Sequence, residues 1–147
     1  MPVFLPTPEG HSKDIIKPRV TIGVCVKNSA DTIGEAIESI TQQDFPHQSM
    51  EIVFVDESDD DTPTIIQEYI SKLDIVSKLF RIKDKGLGYS RNVVISNARG
   101  DYVLWIDGDM VISPDFVSKQ VKFMQNHPKV GIARGSQILE PAKNTLD

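Results

Sequence analysis

The chain has 147 residues, enough for one domain and short for two. Hydrophobic residues make up 39% and charged residues 25%, so a packed core is expected and disorder is not. The formal charge of −5, from 16 Lys+Arg against 21 Asp+Glu, argues against a nucleic-acid-binding surface. A single cysteine, Cys25, excludes an internal disulfide and a multi-thiolate zinc site and fits a reducing compartment. No apolar run reaches the roughly 20 residues of a membrane span, and the first residues lack the basic and apolar regions of a signal peptide. A cytoplasmic chain is expected, with contact at the inner face of the cell membrane left open.

Residues 1–18 carry Pro2, Pro6, Pro8 and Pro18, which predicts an extended leader or an arm packed over the domain that follows. From residue 19 to 147 the pattern alternates between strand and helix periods. Val20 to Val26 is a β-branched run and predicts a strand. Ile33, Ala36, Ile37 and Ile40 follow at helical spacing, with Thr32 and Glu35 placed as a capping box and Phe45-Pro46 as the stop. Glu51 to Val55 is a second strand. Pro63 suits the first turn of a helix whose apolar stripe is Ile66, Tyr69, Ile70 and Leu73. Leu79 to Ile82 is a third strand. Ser90 to Ala98 reads as a helix stopped by Gly100, although Val93-Val94-Ile95 also suits a strand. Asp101 to Ile106 is a fourth strand. Ser113-Pro114 opens a helix through Val117, Val121 and Met124, and Lys129 to Ala133 is a fifth strand.

Such alternation predicts a mostly parallel sheet with helices on its faces, and ligands then bind beyond the carboxyl ends of the strands. Those places are Lys27-Asn28, Asp56-Glu57, Lys83 to Gly88 and Asp107 to Asp109. From Asp56 to Asp61, five of six residues are acidic, and Asp107-Gly108-Asp109 adds two more carboxylates. Like charges this close repel unless donors or cations compensate them. Carboxylate oxygens suit hard divalent ions such as Mg²⁺ or Mn²⁺. The plainer readings are capping of the Pro63 helix by Asp59, Asp60 and Asp61, and a β-turn at Asp107-Gly108. Gly86-Leu87-Gly88 matches neither a dinucleotide fingerprint nor a P-loop, but it opens a helix that carries Arg91. Cys25 and Trp105 read as core residues. No nucleophile elbow is present, and His11, His47 and His127 show no metal spacing.

Four pieces now stand in order: Val20 to Asn28, Glu51 to Ser58, Gly86 to Asn92, and Gly100 to Asp109. Together they resemble family 2 glycosyltransferases of the GT-A fold over about Arg19 to Gly135. The resemblance implies an α/β, Rossmann-like, three-layer sandwich with a mostly parallel central sheet. It implies a nucleotide-diphospho-sugar donor, held by Cys25, Val26, Lys27, Asp56, Glu57, Arg91 and Asp107. It implies Mg²⁺ or Mn²⁺ on Asp107 and Asp109, and inverting transfer to an acceptor hydroxyl. Two segments depart from the family pattern: Cys25-Val26-Lys27 replaces a proline, a small residue and a tyrosine, and Glu57 replaces an aspartate.

Family members carry an acceptor-binding second half that supplies the catalytic base. Here Glu140 and Asp147 are the only acids beyond Asp115, and neither sits in a matching motif. The expectation is therefore a truncated GT-A domain with its base outside this chain. The acceptor, whether glycan, lipid-linked or protein, is left open. A non-catalytic nucleotide-sugar-binding module is the alternative. An incomplete sheet also allows association into an oligomer. A receiver-like domain is disfavoured because the first strand ends in Val26-Lys27-Asn28, without acids.

Overall fold

β-Branched runs and amphipathic stretches alternate along the chain, and the computed structural model turns that alternation into a layered domain. It describes residues 3–4 and 17–138. The elements in order are β1 (Val3–Phe4), β2 (Val20–Val26), α1 (Ile33–Thr41), β3 (Met50–Asp56), α2 (Thr62–Ile70), β4 (Val76–Arg81), α3 (Leu87–Asn97), β5 (Tyr102–Trp105) and α4 (Phe116–Asn126). The sheet order is β1-β4-β3-β2-β5. β2, β3, β4 and β5 run parallel, and β1 pairs antiparallel with β4.

The side-chain alternation of β2 explains the layers. Val20, Ile22, Val24 and Val26 point to one face, where Ile33, Ile37 and Ile40 of α1, Ile66 of α2, and Val117 and Val121 of α4 meet them. Each fully buried branched aliphatic here contributes about 1.5–3 kcal/mol. On the opposite face Val53, Val55 and Phe80 pack under Val94 of α3, with Cys25 and Val103 beside them. The three-layer α/β sandwich implied by the resemblance is therefore present, with α3 on one side of the sheet and α1, α2 and α4 on the other.

The register decides where the site lies. Val26 is opposite Asp56, and Asp56 is opposite Arg81, so three strand ends form one row. The chain leaves β2 toward β3 and β4, then crosses back to place β5 on the other side of β2. The carboxyl ends of β2 and β5 are thus the topological switch point, where open α/β sheets bind ligands.

Several expectations are corrected. Lys129 to Ala133 is not a strand. It runs irregularly past the outer side of β5 without a ladder, and Ile132 is exposed where a buried strand residue was expected. β4 starts three residues before the expected Leu79, because Val76 already pairs with Glu51. The capping box at α1 does not form. The Thr32 hydroxyl is drawn away to the Gly108 carbonyl, 2.9 Å distant. Of the expected leader, Val3–Phe4 forms an edge strand, so this stretch packs on the domain, and residues 5–16 lie outside the described residues.

Candidate functional site

The turn after β5 is built to sit on the end of β2. The Ile106 N–H donates to the Gly23 carbonyl (3.1 Å), and the Met110 N–H closes a turn on the Asp107 carbonyl (3.0 Å). A Cβ on Gly108 would lie 2.6 Å from Val26 Cγ1, so only glycine allows this approach. The Gly108 carbonyl is held by Thr32 at the start of α1. Gly108 is buried, while Asp107 and Asp109 on either side of it are exposed at the switch point. The turn that the Asp-Gly dipeptide suggests and the open carboxylates that a ligand needs are one and the same structure.

Arg91 reaches the same region from α3. Its guanidinium lies over the Trp105 ring, 5.5 Å from the centroid. Trp105 is therefore not the core residue expected from sequence. It remains 37% exposed and supports the arginine. Cys25 shows how closely the candidates gather. Burial first, then the charges of Asp107 and Glu57, push its thiol up to about 11 against the opposing pull of Arg91. A thiol held neutral in this way is no nucleophile at physiological pH. Lys27 follows it, exposed. Val26 offers little to a ligand, since its side chain packs in the core and its carbonyl accepts the Glu57 N–H (3.0 Å).

The acid-rich stretch after β3 is divided in its use. Asp56 is fully buried. Its Oδ2 accepts Arg81 Nε at 3.0 Å, and its Oδ1 accepts the Ser58 N–H at 3.3 Å. The Arg81 guanidinium also donates to the Ser58 carbonyl (2.7 Å). Glu57 Oε1 accepts the Lys85 N–H (2.8 Å) and the Gly86 N–H (2.9 Å). Asp60 accepts the Thr62 N–H (2.9 Å) and its hydroxyl, which keeps its carboxyl below the ordinary value. Asp61 is the N-cap of α2 but makes no side-chain capping bond, and Asp60, one residue earlier, holds the first helical residue instead. Asn28, with a left-handed φ of 51°, links the two loops by donating its N–H to Ser58 Oγ (2.7 Å) and accepting the Asp59 N–H (2.9 Å).

Sequence reasoning missed Arg81 and read Trp105 as core, while it placed Asn28 at a strand end without its loop-linking role. Arg81 was hidden because the third strand was placed at Leu79 to Ile82, which put the arginine inside a strand and not at its end. The Trp105 signal was its spacing of two residues from Asp107, on the strand face that meets α3.

Arg91, Trp105 and Asp107 also line a groove of about 860 Å³ that continues along β5 toward Met110, Phe116 and Arg134. Among the described residues, no three His, Cys, Asp or Glu side chains converge as a complete metal cage. The pair Asp107 and Asp109 still fits Mg²⁺ or Mn²⁺, which are commonly held by one or two carboxylates and complete their shells with water and phosphate oxygens.

The comparisons agree with this architecture. The model of the family described as Glycosyl transferase family 2 matches residues 21–145. The poly(ribitol-phosphate) beta-N-acetylglucosaminyltransferase TarS of Staphylococcus aureus (strain Mu50 / ATCC 700699) is 34% identical over 101 residues, 68% of this chain and 18% of TarS. The crystal structure of S. aureus TarS 1-349 in complex with UDP-GlcNAc aligns with a TM-score of 0.66 at 32% identity, covering 75% of this chain and 32% of that one. The mannosyltransferase PcManGT from Pyrobaculum calidifontis, in complex with GDP-Man and Mn²⁺, aligns with a TM-score of 0.70 at 29% identity, covering 74% and 33%. The chain thus spans about a third or less of the length of these relatives. On the family match, the fold and the order of its strand-end motifs, the chain belongs to glycosyl transferase family 2.

Proposed function

We propose that this chain supplies the donor site of an inverting glycosyltransferase that uses a nucleotide-diphospho-sugar. The observation that carries the reading is the exposed Asp107 and Asp109 pair at the switch point, with Arg91 held beside it on Trp105. A relative bound to UDP-GlcNAc and another bound to GDP-Man and Mn²⁺ support it.

Asp107 and Asp109 would hold the divalent cation, which when bound offsets the negative charge of a departing diphosphate. Arg91 offers a second positive charge to the same leaving group. The end of β2 borders the nucleotide through half-buried Cys25 and exposed Lys27, and Lys27 meets phosphate or an acidic group. In the complete reaction the acceptor hydroxyl oxygen attacks the anomeric carbon. The bond from that carbon to the diphosphate oxygen breaks, and a base takes the hydroxyl proton. Described residues after Asp115 include no Asp or Glu, so the base lies outside them. The second reading is a module that binds the donor without transferring sugar.

Calorimetric titration with UDP, GDP and CDP, each with and without Mn²⁺, tests the donor site. The expected result is Mn²⁺-dependent binding of one nucleotide in preference to the others. No binding to any of the three contradicts it. Sugar transfer or donor hydrolysis by the chain alone removes the second reading.

A further inference from the structure

The two glutamates of the β3 segment hold the two ends of α3. Glu51, near the start of β3, accepts the Arg99 N–H at 2.6 Å and Arg99 Nε at 3.1 Å, just after the helix ends. Glu57, directly after β3, accepts the Lys85 and Gly86 N–H groups just before the helix begins. Resting on the donor-site reading above, we propose that Glu57 is a positioning residue that acts through Arg91.

Three observations lead there. First, Glu57 Oε1 already accepts two backbone donors, a strong charge-assisted arrangement. Second, those donors belong to a loop with unusual backbone: Asp84 has φ 52° and Gly86 has φ 82°. A non-glycine residue in the left-handed region needs surroundings that hold it there. Gly86 is also where α3 begins, since its carbonyl accepts the Ser90 N–H (3.1 Å) and the Ser90 hydroxyl (3.2 Å). Third, α3 has little else to fix it. Only Ser90 and Val94 are buried, and no side chain caps its first turn. A helix with so small a buried face takes its position from its anchored ends. Arg91 lies in the second turn from the Glu57 anchor, with its guanidinium on Trp105. Loosening Gly86 therefore moves Arg91 relative to Asp107.

The test is a double-mutant cycle in nucleotide affinity, read beside hydrogen exchange of the free chain. The probe is whichever of UDP, GDP or CDP the parent binds best with Mn²⁺. Arg91→Ala and Glu57→Ala are each expected to weaken it about tenfold, and the double variant to bind no worse than Arg91→Ala alone. Without nucleotide, Glu57→Ala should speed exchange at the Lys85 and Gly86 amides. Glu57→Gln keeps an acceptor oxygen and should keep both the protection and most of the affinity. Additive losses, a changed ranking of the three nucleotides in Glu57→Ala, or weakened binding with Lys85 and Gly86 still protected would each overturn the positioning role in favour of direct contact. Failure of the parent to bind any nucleotide overturns the donor-site reading and the purpose of the anchor with it, while exchange unchanged by Glu57→Ala overturns the anchor alone.

Discussion

The two ends of the parallel sheet use the same residue types in opposite ways. At the amino ends of the strands, Glu51 is 1% exposed and every neighbour answers it. The Thr21 hydroxyl donates to it at 2.6 Å, Arg99 donates from backbone and side chain, and the Gly100 N–H completes the circuit on Thr21 Oγ1 at 3.0 Å. At the carboxyl ends, Asp107 and Asp109 stand exposed on a turn tied down through the Ile106 and Met110 N–H groups and the Gly108 carbonyl. A buried charge must be answered inside the fold, whereas exposed acids held close together are answered by ligands or cations. On the function proposed above, the floor of the sheet carries stability and its rim carries binding. The pair Asp56–Arg81 lies between the two regimes, with Asp56 buried like the floor and Arg81 exposed at the rim.

The contrast breaks most severely at Glu51. Glu51→Ala leaves Arg99 and the Thr21 hydroxyl without their acceptor and should cost about 3 kcal/mol in urea unfolding. A loss comparable to that of an ordinary surface substitution would show that the floor network is not structural. Gly108→Ala crosses the divide. Its new Cβ would meet Val26 in the core, so it should cost about 1–3 kcal/mol and also displace the aspartates. Nucleotide titration and unfolding of this one variant should both show the damage.

The pH dependence sharpens the same comparison. Burial alone would raise the Glu51 carboxyl, but the hydrogen bonds from Thr21 and Arg99, together with the Arg99 charge, outweigh it and leave the group below its ordinary 4.5. Its contribution is present above that value and is lost as pH falls through the lower, folded value. Urea midpoints followed from neutral pH to about pH 3 should therefore fall less steeply in Glu51→Gln than in the parent. Equal slopes would remove Glu51 from the acid response.

Much of this was legible in the sequence. The four parallel strands and the helices between them follow from period and punctuation, because β2, β3 and β4 are built around buried apolar residues such as Val24, Val53 and Leu79. Asp107 and Asp109 were visible because an Asp-Gly-Asp directly after Val103-Leu104-Trp105-Ile106 leaves a strand at the carboxyl edge. Pairing partners were not visible. Lys129 to Ala133 has strand composition but no ladder on β5, and β4 gained its early start from β3. Nor can a linear pattern tell which acids are already spent. Asp56 and Glu57 look equivalent along the chain, yet one is enclosed with Arg81 and the other holds the Gly86 loop. The Thr32 hydroxyl likewise had a local role available and took a distant one, 76 positions away.

The central claim is that the rim binds and the floor stabilises, and Asp109→Asn tests it most directly. Unfolding in urea and titration with nucleoside diphosphate and Mn²⁺ should be measured on the same preparation. The account predicts a stability within about 0.5 kcal/mol of the parent, because the side chain is exposed and removing one of two neighbouring charges relieves repulsion. It predicts at the same time the loss of Mn²⁺-dependent binding. Unchanged affinity in the presence of Mn²⁺, or a loss of stability on the scale expected for Glu51→Ala, would contradict it.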